Sequence, residues 1–155
     1  MDERYPTTSN VISFLSDLED ISVLFYQKLA EVLKENSQLF MRFARESKSN
    51  KSLIVRTYRE TVTDVLETLF SFSGLNLDYD ILKFHFDEKL TAGELLSKAV
   101  NFERTASALY VDISNRSRSF LSTVPNVLSN IGKKRKERIP KLEELRDNFY
   151  KGRAK

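Results

Sequence analysis

Four stretches of the chain place apolar residues at alternating steps of three and four, the spacing that keeps side chains on one face of an α-helix. The first runs from about Asn10 to Lys34 and the second from about Ser37 to Phe72, with a short polar break at Glu35 and Asn36 between them. A link that short predicts an antiparallel hairpin. The segment from Ser73 to Lys89 holds Gly74 and the mixed run Asn76-Leu77-Asp78-Tyr79, and is read as a crossover connection with one short helical turn. The third helix is predicted from Thr91 to about Arg116, because Thr91-Ala92-Gly93-Glu94 has the spacing of a reciprocal N-terminal cap. The fourth spans about Thr123 to Tyr150, with Pro125 in its first turn. Pro140 falls inside it, removes one backbone hydrogen bond and predicts a bent but continuous helix.

The same steps give one inward stripe per helix. They are Ile12, Leu15, Glu19, Ser22, Tyr26, Leu29; then Phe40, Phe43, Ser47, Asn50, Ile54, Thr57; then Leu96, Ala99, Glu103, Ala106, Tyr110, Ile113; and last Leu128, Ile131, Arg135, Arg138, Leu142, Leu145. In every stripe two apolar positions precede a polar one and apolar character then resumes. The interruptions therefore meet in one layer across the middle of a bundle: Glu19, Ser22, Ser47, Asn50, Glu103, Ala106, Arg135 and Arg138. The first and third helices also share a Glu followed seven residues later by a Tyr, an internal repeat of a helix hairpin.

Composition narrows the class. The 155 residues are the size of one domain spanning 1–155, and 41% hydrophobic with 30% charged residues is ordinary for a soluble protein. Only 4 Gly and 3 Pro argue for long helices over a turn-rich β fold. Without cysteine there is no disulfide framework, thiolate metal site, iron–sulfur cluster or thiol nucleophile. Residues 1–10 carry Asp2, Glu3 and Pro6 where a signal peptide needs a basic start and an apolar run, and no stretch is apolar enough to span a bilayer. The expectation is a soluble, cytoplasmic protein with no membrane partner.

On the layer and the repeated Glu and Tyr, the chain resembles the rubrerythrin-like branch of the ferritin-like superfamily over most of its length. The resemblance implies an all-α, ferritin-like four-helix bundle, two antiparallel helix hairpins joined by a long crossover. In that family the first and third helices each supply one Glu and the second and fourth each supply Glu-x-x-His, a hard-donor set for a pair of iron or manganese ions. Glu19 and Glu103 match the lone glutamates, with Tyr26 and Tyr110 downstream. At the two Glu-x-x-His positions, however, stand Ser47 with Asn50 and Arg135 with Arg138. Weak neutral donors and guanidinium groups do not hold a cation. Family redox activity is therefore not carried over, no cofactor is expected, and no rubredoxin-like module exists without paired cysteines. The arginines instead restore neutrality beside the glutamates, predicting a core ionic layer of Glu19, Glu103, Arg135 and Arg138.

Other readings stand beside this one. Glu19 and Glu103 are also what an unrelated helical bundle carries as ordinary polar residues. An atypical single-metal site of iron or manganese would use both with Glu46, in a metal-binding oxidoreductase. Tyr26 and Tyr110 are read as core aromatics with bonded hydroxyls rather than redox tyrosines. His85 is the only histidine and leaves no His-based catalytic pair, the serines have no partnered nucleophile, and the glycines form no phosphate-cradling loop. No catalytic residue is assigned. The net charge is +3, and helical phasing leaves Lys133, Lys134 and Lys136 as a small exposed cluster. A basic nucleic-acid-binding module is thus the weaker alternative. Phe70, Phe72, Phe84 and Phe86 around the crossover are candidates either to cover the bundle or to build an interface. The function expected is a metal-free structural or protein-interaction module, a homodimer by analogy with relatives, with its protein partner unknown.

Overall fold

Thr7 opens the first helix by accepting the Asn10 backbone N–H at 3.1 Å, while the Asn10 side chain accepts the Thr7 N–H at 3.1 Å. Two of the donors that a helix start leaves unpaired are thereby satisfied. The computed structural model describes residues 6–61, 74–117 and 124–154. Helix α1 covers Thr8–Val32 and ends where the Leu33 N–H bonds back to the Leu29 carbonyl at 2.8 Å. A single 3-10 turn, Lys34–Asn36, occupies the polar break and feeds α2, Ser37–Thr61. The predicted extension of α2 to Phe72 lies outside the described residues.

Gly74 lies at φ +80°, where a side chain is strained, and a Cβ there would come within 2.9 Å of the Arg116 guanidinium. Leu75 and Leu77 then turn inward, and a 3-10 turn at Tyr79–Lys83 is capped by Asp78. This is the predicted helical turn of the crossover. Phe84 follows and slots between the rings of Phe25, at 4.1 Å, and Phe102, at 3.9 Å, closing the seam between the first and third helices.

Helix α3, Ala92–Ser117, begins at the predicted cap: Thr91 accepts the Glu94 N–H at 3.2 Å and Glu94 accepts the Thr91 N–H at 2.9 Å. The last part of the chain departs from expectation. Instead of one bent helix there are two, α4 (Val124–Lys136) and α5 (Arg138–Ala154), separated by a turn at Glu137. Proline is again the reason. Pro140 has no N–H for the Lys136 carbonyl and its ring would press on that carbonyl. Ending α4 at Lys136 moves Pro140 into the first turn of α5, where its missing N–H would have been unpaired in any case.

Hydrogen bonds between helices fix their directions. Ser22 meets Ser47 and Glu19 meets Asn50, so α1 and α2 are antiparallel. Tyr26 meets Glu103 and Tyr110 meets Glu19, so α1 and α3 are antiparallel too. Arg135 faces Glu103 while Gly132 lies against Ser107 and Tyr110, which makes α3 and α4 antiparallel. Helices α2 and α3 consequently run parallel, and the connection between them has to return along the bundle. Four stripes face one core, in which every stripe residue is buried apart from half-buried Leu145. Fully burying a Leu or Phe contributes about 1.5–3 kcal/mol each, so Leu15, Leu29, Phe40, Leu96 and Leu142 hold the apolar ends of the bundle together. Among the described residues no helix is long and apolar enough to cross a membrane.

Candidate functional site

Midway along the bundle the apolar core gives way to charge. Glu19, Glu103, Arg135 and Arg138 are each at most 1% exposed, and Ser22, Ser47, Asn50 and Ala106 are buried around them. The guanidinium of Arg135 lies between the two carboxylates. Its Nε and Nη2 donate to Glu19 Oε2 and Oε1 at 3.1 and 2.7 Å, and its Nη1 donates to Glu103 Oε1 at 2.7 Å. Only a planar fork of donors spans two carboxylates in this way; an ammonium group, being a point charge, does not.

Arg138 approaches from the α2 side. Nη1 donates to Glu103 Oε2 at 3.1 Å, and Nη2 lies 3.2 Å from both the Phe43 carbonyl and Ser47 Oγ and 3.3 Å from Glu46 Oε1. Its cation also lies over the rings of Phe43, at 5.0 Å, and Tyr26, at 5.5 Å. The tyrosines complete the layer crosswise. Tyr26 on α1 donates to Glu103 on α3 at 2.6 Å, and Tyr110 on α3 donates to Glu19 on α1. Asn50 adds a long bond to Glu19 at 3.4 Å, and the Ser22 and Ser47 hydroxyls share one at 3.1 Å.

Burial alone would push the Glu103 carboxyl up, but Arg135 and Arg138, with the Tyr26 hydroxyl, hold it below the usual carboxylate range. Burial raises Tyr26 and Tyr110 well above the ordinary tyrosine value, and the adjacent glutamates raise them further. Both phenols stay protonated and serve as donors. Burial opposes the charge on Arg135, yet Glu103 and Glu19 outweigh it and raise its pKa well above the ordinary arginine value. Two carboxylates and two guanidinium groups make the layer electrically neutral, which is what permits charge at this depth.

This donor set does not fit a pair of metal ions. Each oxygen of Glu19 and Glu103 already accepts at least one hydrogen bond, and a cation fills the space between them. Glu46, the third carboxylate of the single-metal alternative, is turned to Arg138 and its side chain is 38% exposed. Among the described residues no group of three or more His, Cys, Asp or Glu side chains is arranged to hold a metal.

The remaining candidates lie elsewhere. His85 is exposed, with Nδ1 2.8 Å from the Lys83 carbonyl. Lys133, Lys134 and Lys136 face solvent while Arg135 and Arg138 turn inward. Phe84 covers the side of the bundle and is 8% exposed, whereas Phe86 is half-buried beside Phe25 at 6.3 Å. Phe70 and Phe72 lie outside the described residues. What sequence reasoning missed is the crossing of the two tyrosines, the Phe43 carbonyl as a partner of Arg138, and the part taken by Glu46. The repeated Glu-to-Tyr spacing was the available signal for the first, once α1 and α3 are known to run antiparallel. No known protein-family model matches the chain, and neither does any curated protein.

Proposed function

We propose that the chain is a ferritin-like bundle of the rubrerythrin-like kind in which a pair of arginines stands where the di-metal centre would be. It acts in the cytoplasm as a non-catalytic structural or protein-interaction module. The single observation that carries this reading is Arg135, whose guanidinium bonds both Glu19 and Glu103 at 2.7 Å in the middle of the bundle. The crosswise tyrosines and the parallel course of α2 and α3 are in keeping with it. Such a layer is costly to desolvate and adds less stability than a well-packed apolar one would, so its contribution is a unique helix register.

A homodimer is part of the proposal. It is supported by an apolar groove of about 300 Å³ lined by Leu24, Phe25, Leu82 and Phe86, with Leu24 59% exposed. Sedimentation of the purified protein should give a dimer that Leu24→Asp turns into a monomer; a monomeric parent would remove this part.

Elemental analysis of the purified protein tests the main reading. Iron, manganese and zinc should all be far below one equivalent per chain. Stoichiometric metal that is lost in Glu19→Gln and Glu103→Gln would overturn the proposal in favour of a metal-binding oxidoreductase.

A further inference from the structure

Beyond the buried layer, the junction of α4 and α5 opens onto a groove against α2 with a volume of about 540 Å³. Its lining is strongly basic: Arg42 and Arg45 from α2, Lys134 from α4, and Arg138 and Lys141 from α5, against the two carboxylates Glu46 and Glu137. Among the described residues Arg45, Lys134 and Lys141 form no ion pair, and Arg42 meets only the Phe43 ring, at 5.9 Å. Glu46 is already shared with Arg138. A groove whose walls carry this surplus attracts a multiply charged anion.

A second observation points the same way. Arg138 is 1% exposed and lines this groove, yet its Nε–H has no hydrogen-bond partner among the described residues. That donor is closed off from solvent, so an acceptor meets it only where the groove walls part, and the exposed Arg42, Arg45, Lys134 and Lys141 make the first contact.

We infer that the groove between α2 and the α4–α5 junction binds a small phosphorylated ligand, held by the exposed Arg42, Arg45, Lys134 and Lys141 above buried Arg138. A phosphoryl group carries close to two charges and three acceptor oxygens, enough to meet several long basic side chains together, where a single carboxylate meets fewer. The size of the groove suits a compact ligand.

The test is calorimetric titration of the intact protein with inorganic pyrophosphate at low and high salt. Saturable binding is expected, weakened at high salt and weakened on the order of tenfold or more in an Arg42→Gln, Arg45→Gln, Lys141→Gln triple variant. These three changes lie outside the ionic layer, and circular dichroism should show an unchanged fold. Lys133→Gln, exposed and not lining the groove, should bind as the parent does. Absence of saturable binding would overturn the inference, as would equal affinity in the triple variant, or tighter binding of single-stranded DNA that depends on Lys133.

Discussion

Arg135 holds Glu19 with two parallel bonds, Nε to Oε2 at 3.1 Å and Nη2 to Oε1 at 2.7 Å, and both residues are completely buried. Neither charge has water to turn to. Arg135→Leu should therefore leave Glu19 without a counter-charge and take one of Glu103's three partners, at a cost on the order of 3 to 5 kcal/mol, read as a lower midpoint in urea unfolding. Arg138→Leu should fall in the same range. Adding Glu19→Gln to Arg135→Leu should recover part of the loss, because the stranded charge is then gone. An unchanged midpoint in the single variants would contradict a buried ion pair.

Tyr26 and Tyr110 each donate to the glutamate of the opposite helix. Removing one hydroxyl leaves a charged acceptor short of a donor without disturbing the packing of the ring. Tyr26→Phe and Tyr110→Phe should each lose about 1.5 to 3 kcal/mol, and together they should deviate from additivity, since both act on one network. Denaturation of the two single variants and the double variant measures this directly.

The direction of each pKa shift sets a pH window. Glu103 is lowered in the folded state, so its contribution is present above the ordinary carboxylate range and is lost as pH falls through its folded value. Tyr26 and Tyr110 are raised, so theirs is full below the ordinary tyrosine value of about 10 and declines as pH climbs above it. Melting temperature should be flat across the neutral range and fall at both extremes. In Tyr26→Phe, Tyr110→Phe the alkaline fall should shrink; the same alkaline slope in that variant would show that the tyrosines do not cause it.

Gly132 lets α4 lie close to α3. A Cβ there would sit 3.1 Å from the Cβ of Tyr110, which is held by its bond to Glu19. Gly132→Ala should therefore destabilise by about 1 to 3 kcal/mol through overpacking, although alanine is the better helix former. A stabilised Gly132→Ala protein would mean that the two helices have room to separate.

Much of the layer was legible because stepping by three and four tolerates an error of a residue or two at helix ends. Helix α1 was expected over 10–34 and is found at Thr8–Val32, yet Glu19 and Ser22 keep their inward positions. The true start was obscured by chemistry: Asn10 takes the capping part that Glu or Gln usually plays three residues after Thr. The break at Glu137 was harder to read, since Pro140 marks the helix as interrupted without saying whether it bends or restarts. The crossing of the tyrosines and the turn of Glu46 toward Arg138 depend on helix direction and on side-chain rotamers, neither of which a one-dimensional pattern carries.

We propose that Arg135 and Arg138, with Ser47 and Asn50, stand where a ferritin-like bundle would carry its two Glu-x-x-His motifs. Ser47→Glu, Asn50→His, Arg135→Glu and Arg138→His together rebuild both motifs beside Glu19 and Glu103. The decisive measurement is ferrous iron bound per folded chain, with this variant and the parent titrated side by side. The account predicts saturable iron binding by the rebuilt protein and none by the parent. Stoichiometric iron in the parent, or none in a folded rebuilt variant, would contradict it.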